Sequence, residues 1–264
     1  MRTGRMGFLE VDSWKRNGMI VHGFGTRGKF GGRVSRKDWW EQSIKDKEEV
    51  FPLVSVQQVQ GDGVVVFEGN PQRPEEFWLK EGDALVTRIQ GYALGVFTAD
   101  CLPLLLFDPI QRAVGIVHAG WRGTAKEISQ KAVEKMKEAF NCASENILSA
   151  MGPCIGACCL EVDKPVKEAF AKSALPWELA ASPRGKGKWS LDLHRANMYF
   201  LEHAGLRKEN IHGLKFCTSC RRDIFYSYRA WGEIQGRQLS FIALRKSGSK
   251  GVYPENSPEG QREV

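Results

Sequence analysis

Short apolar runs punctuated by polar corners dominate the middle of the chain. Gly95–Thr98 stops at Ala99-Asp100-Cys101, and Leu104–Phe107 closes on the turn pair Asp108-Pro109. Ala113–Val117 then delivers His118 into Ala119-Gly120-Trp121-Arg122-Gly123. Runs this short, bounded by Gly, Pro and Asp, predict buried strands rather than helices. Asn17-Gly18, between Trp14 and Met19-Ile20-Val21, predicts a two-residue hairpin turn. A further hairpin is expected where Leu53–Val59 alternates into Gln60-Gly61-Asp62-Gly63 before Val64–Phe67. Asp83–Thr87, Ile147–Met151, Leu214–Cys217 and Leu239–Leu244 complete the expected strands, while Asn70–Lys80 and Ala181–Gly187 read as loops.

Helical periodicity is clearest after Thr124, where Thr124 and Glu127 form a capping box. Ile128, Ala132, Met136 and Phe140 keep one apolar stripe, and Asn141 is a stop signal. Asp163 with Pro165 opens a shorter helix whose inner face carries Val166 and Phe170. Asp192 caps another, with the stripe Leu193, Asn197, Phe200, Leu201 and Ala204 ending at Gly205. Asn197 is a polar amide on that buried face, so it needs partners and reads as a structural clamp. Asp38–Val50 reads as a surface helix, and Phe225–Arg229 is an aromatic segment between the last strands. Hairpins interleaved with few helices predict an α+β fold: a single domain of mixed β-sheets with helices packed on them, over residues 1–245. Residues 246–264 are rich in Ser, Gly, Pro and charge and are expected to be disordered.

Composition narrows the setting. With 264 residues, 26% charged and 42% hydrophobic, the chain is an ordinary globular protein. It has no apolar run near the length of a membrane span and no signal-type apolar stretch at its start, so a cytoplasmic protein without a membrane partner is expected. A net charge of +7 permits an anionic ligand. The Lys and Arg residues are dispersed, however, without a basic block or an RNA-recognition signature. A phosphorylated or acidic small molecule is therefore expected rather than nucleic acid. The glycine-rich stretch around Arg27 offers free backbone N–H groups to such an anion, or is simply a flexible turn.

Seven cysteines is an odd count, and disulfides are disfavoured in a reducing compartment. Cys154, Cys158 and Cys159 lie in one Gly/Pro-rich turn, and Cys217 and Cys220 have C-x-x-C spacing. A four-cysteine zinc site lacks a second C-x-x-C partner, which favours reading these residues as small buried hydrophobes.

Cys101 and His118 fall at strand ends, where a rigid sheet holds chemistry at a loop. A hairpin of the two later strands would bring them together. Thiolate and imidazole can bind zinc or copper if a third ligand arrives. Alternatively the imidazole deprotonates the thiol for nucleophilic attack. Asp100 either orients the histidine or caps a turn, the cap being preferred. The helix expected from Thr124 would point its N-terminus at this corner and favour an anion there.

The block Thr98-Ala99-Asp100-Cys101-Leu102-Pro103, followed by His118-Ala119-Gly120-Trp121-Arg122-Gly123, resembles the YfiH family of multicopper polyphenol oxidoreductase, or laccase-domain, proteins. Further matches run in order along nearly the whole chain. They are His22-Gly23-Phe24 with Thr26-Arg27, Gly152-Pro153 with Ile155-Gly156, Glu161-Val162, Asp192-Leu193 with Asn197, Cys217-Thr218, Phe225 with Ser227-Tyr228-Arg229, and Gly236-Arg237. The resemblance implies mixed sheets sandwiched by helices, distantly like cytotoxic-necrotizing-factor-type hydrolases. It also implies phosphorolysis of purine nucleosides (adenosine, inosine, methylthioadenosine) to base and ribose 1-phosphate, with some adenosine deamination. Partners would then be a purine nucleoside and phosphate. The family's zinc, or copper by its older laccase label, is held by a cysteine and two histidines, of which Cys101 and His118 match two. The third belongs to a Gln-Val-His-Gly motif.

Here the chain reads Gln58-Val59-Gln60-Gly61, so Gln60 takes the histidine's slot, and a neutral amide oxygen is a poor zinc ligand. Ala230 likewise stands where the family often has a second arginine. Expected roles are catalysis by Cys101 and His118, with Arg27, Arg122, Arg229 and His22 binding substrate or phosphate. The runner-up is a Cys/His hydrolase of the amidase type, fitting peptidoglycan precursor editing. A catalytically weakened nucleoside-binding protein is a third reading. Multi-centre copper oxidation is the weakest, because the chain has only five histidines.

Overall fold

Strand-forming runs that read as separate hairpins along the chain assemble into two facing mixed sheets, with helices on one outer side. A computed structural model describes residues 8–14, 17–27, 44–46, 49–68, 74–233 and 235–246. In chain order the strands are β1 (Ile20–Phe24), β2 (Ile44–Asp46), β3 (Glu49–Phe51), β4 (Leu53–Val54), β5 (Val64–Phe67), β6 (Ala84–Thr87), β7 (Ala93–Thr98) and β8 (Leu102–Asp108). After these come β9 (Ala113–Ala119), β10 (Leu148–Met151), β11 (Glu161–Val162), β12 (Ala181–Gly185), β13 (Lys188–Leu191), β14 (Ile211–Gly213) and β15 (Gln238–Leu244). The helices are α1 (Trp121–Ala125), α2 (Ile128–Phe140), α3 (Lys164–Phe170), α4 (Trp177–Ala180), α5 (Leu193–His203) and α6 (Tyr228–Trp231).

Of the two facing sheets, one has four strands in the order β1-β15-β7-β4 and the other six in the order β14-β10-β8-β9-β6-β5; β11-β13-β12 and the pair β2/β3 form two smaller sheets. The outermost pairs β4/β7, β5/β6 and β10/β14 are parallel, and the remaining pairs in both sheets are antiparallel. β8 is buried along its whole length because both of its faces are covered, which explains an uninterrupted apolar run. Its period of two sends Leu105 and Phe107 into the core between the sheets, beside Phe24, Val96, Ile116 and Ile242. Leu104 and Leu106 go to the other face, under Ile128, Ala132 and Met136 of α2. The outer face of the smaller sheet is covered by Phe8, Phe51 and Phe241.

The central strands, the stripe on α2 with its Asn141 stop, and the Asp192-capped α5 agree with the sequence expectations. Several local readings do not. Leu53–Val54 and Val64–Phe67 are not hairpin partners, for they pair with β7 and β6 in different sheets. Ala181–Gly185 pairs with Lys188–Leu191 as a hairpin instead of a loop, turning on Gly185 and Gly187, both at positive φ. Asn70–Lys80 contains a 3-10 segment over Pro74–Leu79. At Leu214–Cys217 the chain forms only the isolated bridge Cys154↔Cys217, the strand having ended at Gly213. Near the N-terminus the expected hairpin is reduced to the bridge Leu9↔Phe24 across a longer turn. Of the helix expected over Asp38–Val50, the described part is the strand pair β2/β3. The glycine-rich 28–33 and the tail from 247 lie outside the described residues. Among the described residues no helix is long and apolar enough to cross a membrane.

Candidate active site

β8 and β9 pair antiparallel with Leu102 opposite Ala119 and Pro103 opposite His118. That register brings Cys101, just before β8, beside the end of β9. Gly120 lies so close that a Cβ there would meet Cys101 Sγ at 2.9 Å, so only glycine lets the thiol lie over this backbone. Cys101 and His118, 17 positions apart, are thus neighbours through a plain hairpin.

The imidazole is oriented by a residue outside the motifs, at the start of the strand expected over Asp83–Thr87. Asp83, fully buried at the root of β6, bonds His118 Nδ1 through Oδ1 at 2.7 Å. The same carboxylate accepts from the backbone N–H groups of Val59 (3.2 Å), Gln60 (3.1 Å) and Gly61 (2.6 Å). With Nδ1 taken, Nε2 is left for the thiol side. Burial pushes the Asp83 carboxyl up, but the bonds from His118 and Gly61 outweigh it and hold it below its ordinary value. Burial would likewise push His118 down, yet the adjacent Cys101 sulfur and Asp83 raise it to about 9. An Asp between Gly82 and a short apolar strand was the only local signal for this role.

The 57–61 loop is held over the site by its own side chains. Gln58 makes a two-way amide clamp on the backbone of Phe97, donating to its carbonyl at 2.9 Å and accepting from its N–H at 2.9 Å. Gln60 sits at φ 58 and its Oε1 accepts from Arg122 Nη1 at 2.9 Å. Arg122 also lies over the Trp121 ring, 4.3 Å from its centroid. Gln60 therefore does reach the expected corner, but its amide oxygen is committed to a guanidinium. A catalytic zinc uses three protein ligands. Thiol, imidazole and an amide already bonded to a cation do not make such a set, so this corner does not fit the three-ligand centre implied by the resemblance.

Asp100 neither touches His118 nor merely caps a turn. At φ 96 it holds a backbone conformation that is strained for a non-glycine residue. Its carboxylate accepts from Thr218 Oγ1 and from the Arg229 N–H, both at 2.6 Å, and its carbonyl accepts from Ile155 N–H at 2.8 Å. Three distant loops are thus tied to the residue before Cys101. The Arg229 guanidinium is turned to the carbonyls of Cys159 (3.1 Å) and Glu161 (3.3 Å). Arg27 donates to the Arg222 carbonyl at 3.0 Å and lies over Tyr226 and Trp231. His22 accepts from Val11 N–H at 2.9 Å and packs against Trp14, on β1 in the other sheet. Of the expected anion binders, Arg122 is the one hydrogen-bonded to the loop that also binds Asp83.

The expected helix dipole also changes. α1 is only five residues long, and Glu127 at φ 64 separates it from α2, so the long helix does not begin at this corner. Away from the site, Cys154 is a buried packing residue, as expected of a small hydrophobe, and Cys142 is buried too. Cys158, Cys159, Cys217 and Cys220 are not, for their sulfurs converge within 4.8 Å of one another at the surface.

The family model described as multi-copper polyphenol oxidoreductase laccase matches residues 38–245. A curated relative, purine nucleoside phosphorylase YlmD of Bacillus subtilis, is 34% identical over 169 residues, which is 64% of this chain and 61% of that protein. Adenosine deaminase RL5, from an unknown prokaryotic organism, is 38% identical over 169 residues, 64% of each chain. The matched region thus spans less than two thirds of those relatives' own length. The crystal structure titled hypothetical protein YfiH, from Bacillus licheniformis, superposes with a TM-score of 0.81 at 27% identity, covering 92% of this chain and 98% of that one. The family description and the four-thiol cluster both point to metal binding. On sequence and fold together, the chain belongs to the multi-copper polyphenol oxidoreductase laccase family, whose solved structures include YfiH.

Proposed function

We propose that the chain is a purine nucleoside phosphorylase acting through Cys101, His118 and Asp83. The observation that carries this reading is the buried imidazole of His118 held by the Asp83 carboxylate beside the Cys101 thiol, with Arg122 of α1 hydrogen-bonded to the adjoining loop. The phosphorylase names of the relatives support the same reading. In phosphorolysis, a phosphate oxygen attacks C1′ of the ribose as the bond to the purine breaks, and the base leaves with a proton. His118, protonated at neutral pH, is the general acid for that proton. Asp83 holds its tautomer and stabilises the imidazolium. Cys101 helps to keep the imidazole charged and forms the wall opposite it. Arg122 binds phosphate by charge-assisted hydrogen bonds, exchanging its bond to Gln60 for the anion.

Arg27 and Arg229 are assigned lesser parts, because their guanidinium groups already serve backbone carbonyls. His22 is read as a structural residue because its Nε2 accepts from the Val11 N–H. Neither the amidase alternative nor a dead binding protein is favoured by the relatives' names. A cytoplasmic enzyme is the setting this reading calls for, since free nucleosides and phosphate meet there.

The test is chromatography of adenosine incubated with purified protein, with and without phosphate, beside Cys101→Ala and His118→Asn variants. Adenine and ribose 1-phosphate forming only with phosphate, and only in the unmodified protein, is the expected result. Base release that ignores phosphate, or that survives in both variants, would sink the assignment. Inosine and ammonia in the same chromatograms would add deamination, the activity named for one relative. Arg122→Ala should raise the phosphate KM about tenfold or more, as expected for a lost bond to a charged group, and leave the nucleoside KM nearly unchanged.

A further inference from the structure

Cys158 and Cys159 lie in the turn after Gly156, and Cys217 and Cys220 in the turn after Leu214, about sixty positions on. Their four sulfurs all lie within 4.8 Å of one another, with Cys158–Cys220 at 3.6 Å and Cys159–Cys220 at 3.4 Å. A tetrahedral zinc with Zn–S bonds of about 2.3 Å has sulfur–sulfur edges of about 3.8 Å, so the thiols already stand near chelating distance. A disulfide needs sulfurs at about 2.05 Å, and Cys220 sits between two candidate partners rather than facing one. The backbone is shaped to the cluster as well. Gly156 donates its N–H to Cys217 Sγ at 3.2 Å, and a Cβ on Gly156 would meet Cys158 Sγ at 3.2 Å.

We propose that Cys158, Cys159, Cys217 and Cys220 bind one zinc ion in a closed tetrathiolate site whose work is structural. Four protein sulfurs leave no open coordination position for a substrate or water. What the ion fixes is the backbone beneath the active site. Ile155 N–H donates to the Asp100 carbonyl at 2.8 Å, and Thr218 N–H donates to the Cys154 carbonyl at 3.0 Å. Thr218 Oγ1 bonds the Asp100 carboxylate, and Arg229 bonds the Cys159 carbonyl. Both zinc-clamped turns therefore grip Asp100, the strained residue that aims Cys101. The proposal does not depend on the phosphorylase reading, and each can fail alone.

The test is elemental analysis of protein purified under reducing conditions without added metal, combined with X-ray absorption at the zinc edge. One zinc per chain in a shell of four sulfurs at about 2.3 Å is expected. Cys101→Ala should keep that zinc, and the Cys217→Ser/Cys220→Ser double variant should lose it. Substoichiometric zinc, stoichiometric copper instead, a shell containing nitrogen, or zinc lost with Cys101→Ala would overturn the site. So would a Cys158–Cys220 or Cys159–Cys220 disulfide in peptide maps. If the double variant does not fold, the absorption spectrum of the unmodified protein decides alone.

Discussion

Asp83 and His118 form a buried pair whose charge state sets a pH window for the fold as well as for the site. The folded pKa of His118, about 9, lies above its ordinary 6.5, so the stability it contributes is complete below pH 6.5 and is lost as pH rises through about 9. Asp83 is depressed, so its share is present above its ordinary 3.8 and is lost as pH falls through its lower folded value. Urea unfolding of the unmodified protein should therefore weaken by on the order of 2–3 kcal/mol between neutral and strongly alkaline pH. Asp83→Asn should reduce that slope, with the share from the Cys101 sulfur remaining. A variant with the same slope as the parent would refute the pairing. Gln60 gives a second residue-scale expectation: Gln60→His supplies the imidazole that the three-ligand set lacks, so a zinc equivalent sensitive to Cys101→Ala should appear. Elemental analysis of Gln60→His with and without Cys101→Ala checks it. Cys101, His118 and Gln60 were legible because each sits inside a short motif. Asp83 was not, because its partner lies 35 positions away and only the sheet brings them together.

At the scale of elements, the break between α1 and α2 is the instructive case. Thr124 and Glu127 have the spacing of a capping box, and such a box would start one helix there. Both side chains are taken by distant partners instead. Thr124 Oγ1 accepts from Asn197 Nδ2 at 3.0 Å, and Glu127 Oε1 accepts from Ala174 N–H at 2.7 Å. The local signal was sound, but tertiary hydrogen bonds outcompeted it. Asn197 is the clamp expected of a buried amide, donating also to the Leu193 carbonyl at 2.9 Å. Asn197→Ala should cost about 1–2 kcal/mol in denaturant unfolding, since it leaves Thr124 without its donor. Gly123→Ala probes the other side of α1, where a Cβ would stand 2.9 Å from the Gly61 carbonyl. Turnover should fall more than stability there, because the displaced 59–61 loop carries Asp83's donors and Gln60. An unchanged kcat would show that the loop does not matter to the chemistry.

For the whole molecule, the controlling contact is that between the two sheets. Phe24 of β1 is fully buried against Gly152, just past β10, where a Cβ would lie 2.2 Å from the phenyl ring. Gly152→Ala forces the sheets apart or drives Phe24 off its rotamer, a loss of about 1–3 kcal/mol for an overpacked core. Calorimetry should show a lower Tm with the far-UV spectrum preserved; an unchanged Tm would mean that the sheets have slack at this point. The pairings that build these sheets are mostly non-local, β1 with β15 and β10 with β14 among them. Neighbouring runs such as Leu53–Val54 and Val64–Phe67 therefore looked like a hairpin while belonging to different sheets. Gln57 and Gln58 explain the parting. Gln57 exchanges backbone bonds with Lys80 and Gly82, and Gln58 clamps Phe97, so the chain is pulled across both sheets before it can turn back.

Alternation and apolar run length by themselves determined the central strands β6 to β9 and the buried stripes of α2 and α5, because burial acts on each residue where it stands. Motif spacing by itself placed Cys101 and His118 at strand ends that one hairpin could join, and the β8/β9 register is what joins them at one corner. Tertiary structure alone decided the carboxylate behind His118, the engagement of Gln60 by Arg122, the split at Glu127 and the convergence of four cysteines about sixty positions apart. Each of these rests on a hydrogen bond or sulfur contact between residues far apart in sequence, and no local pattern encodes such a distance.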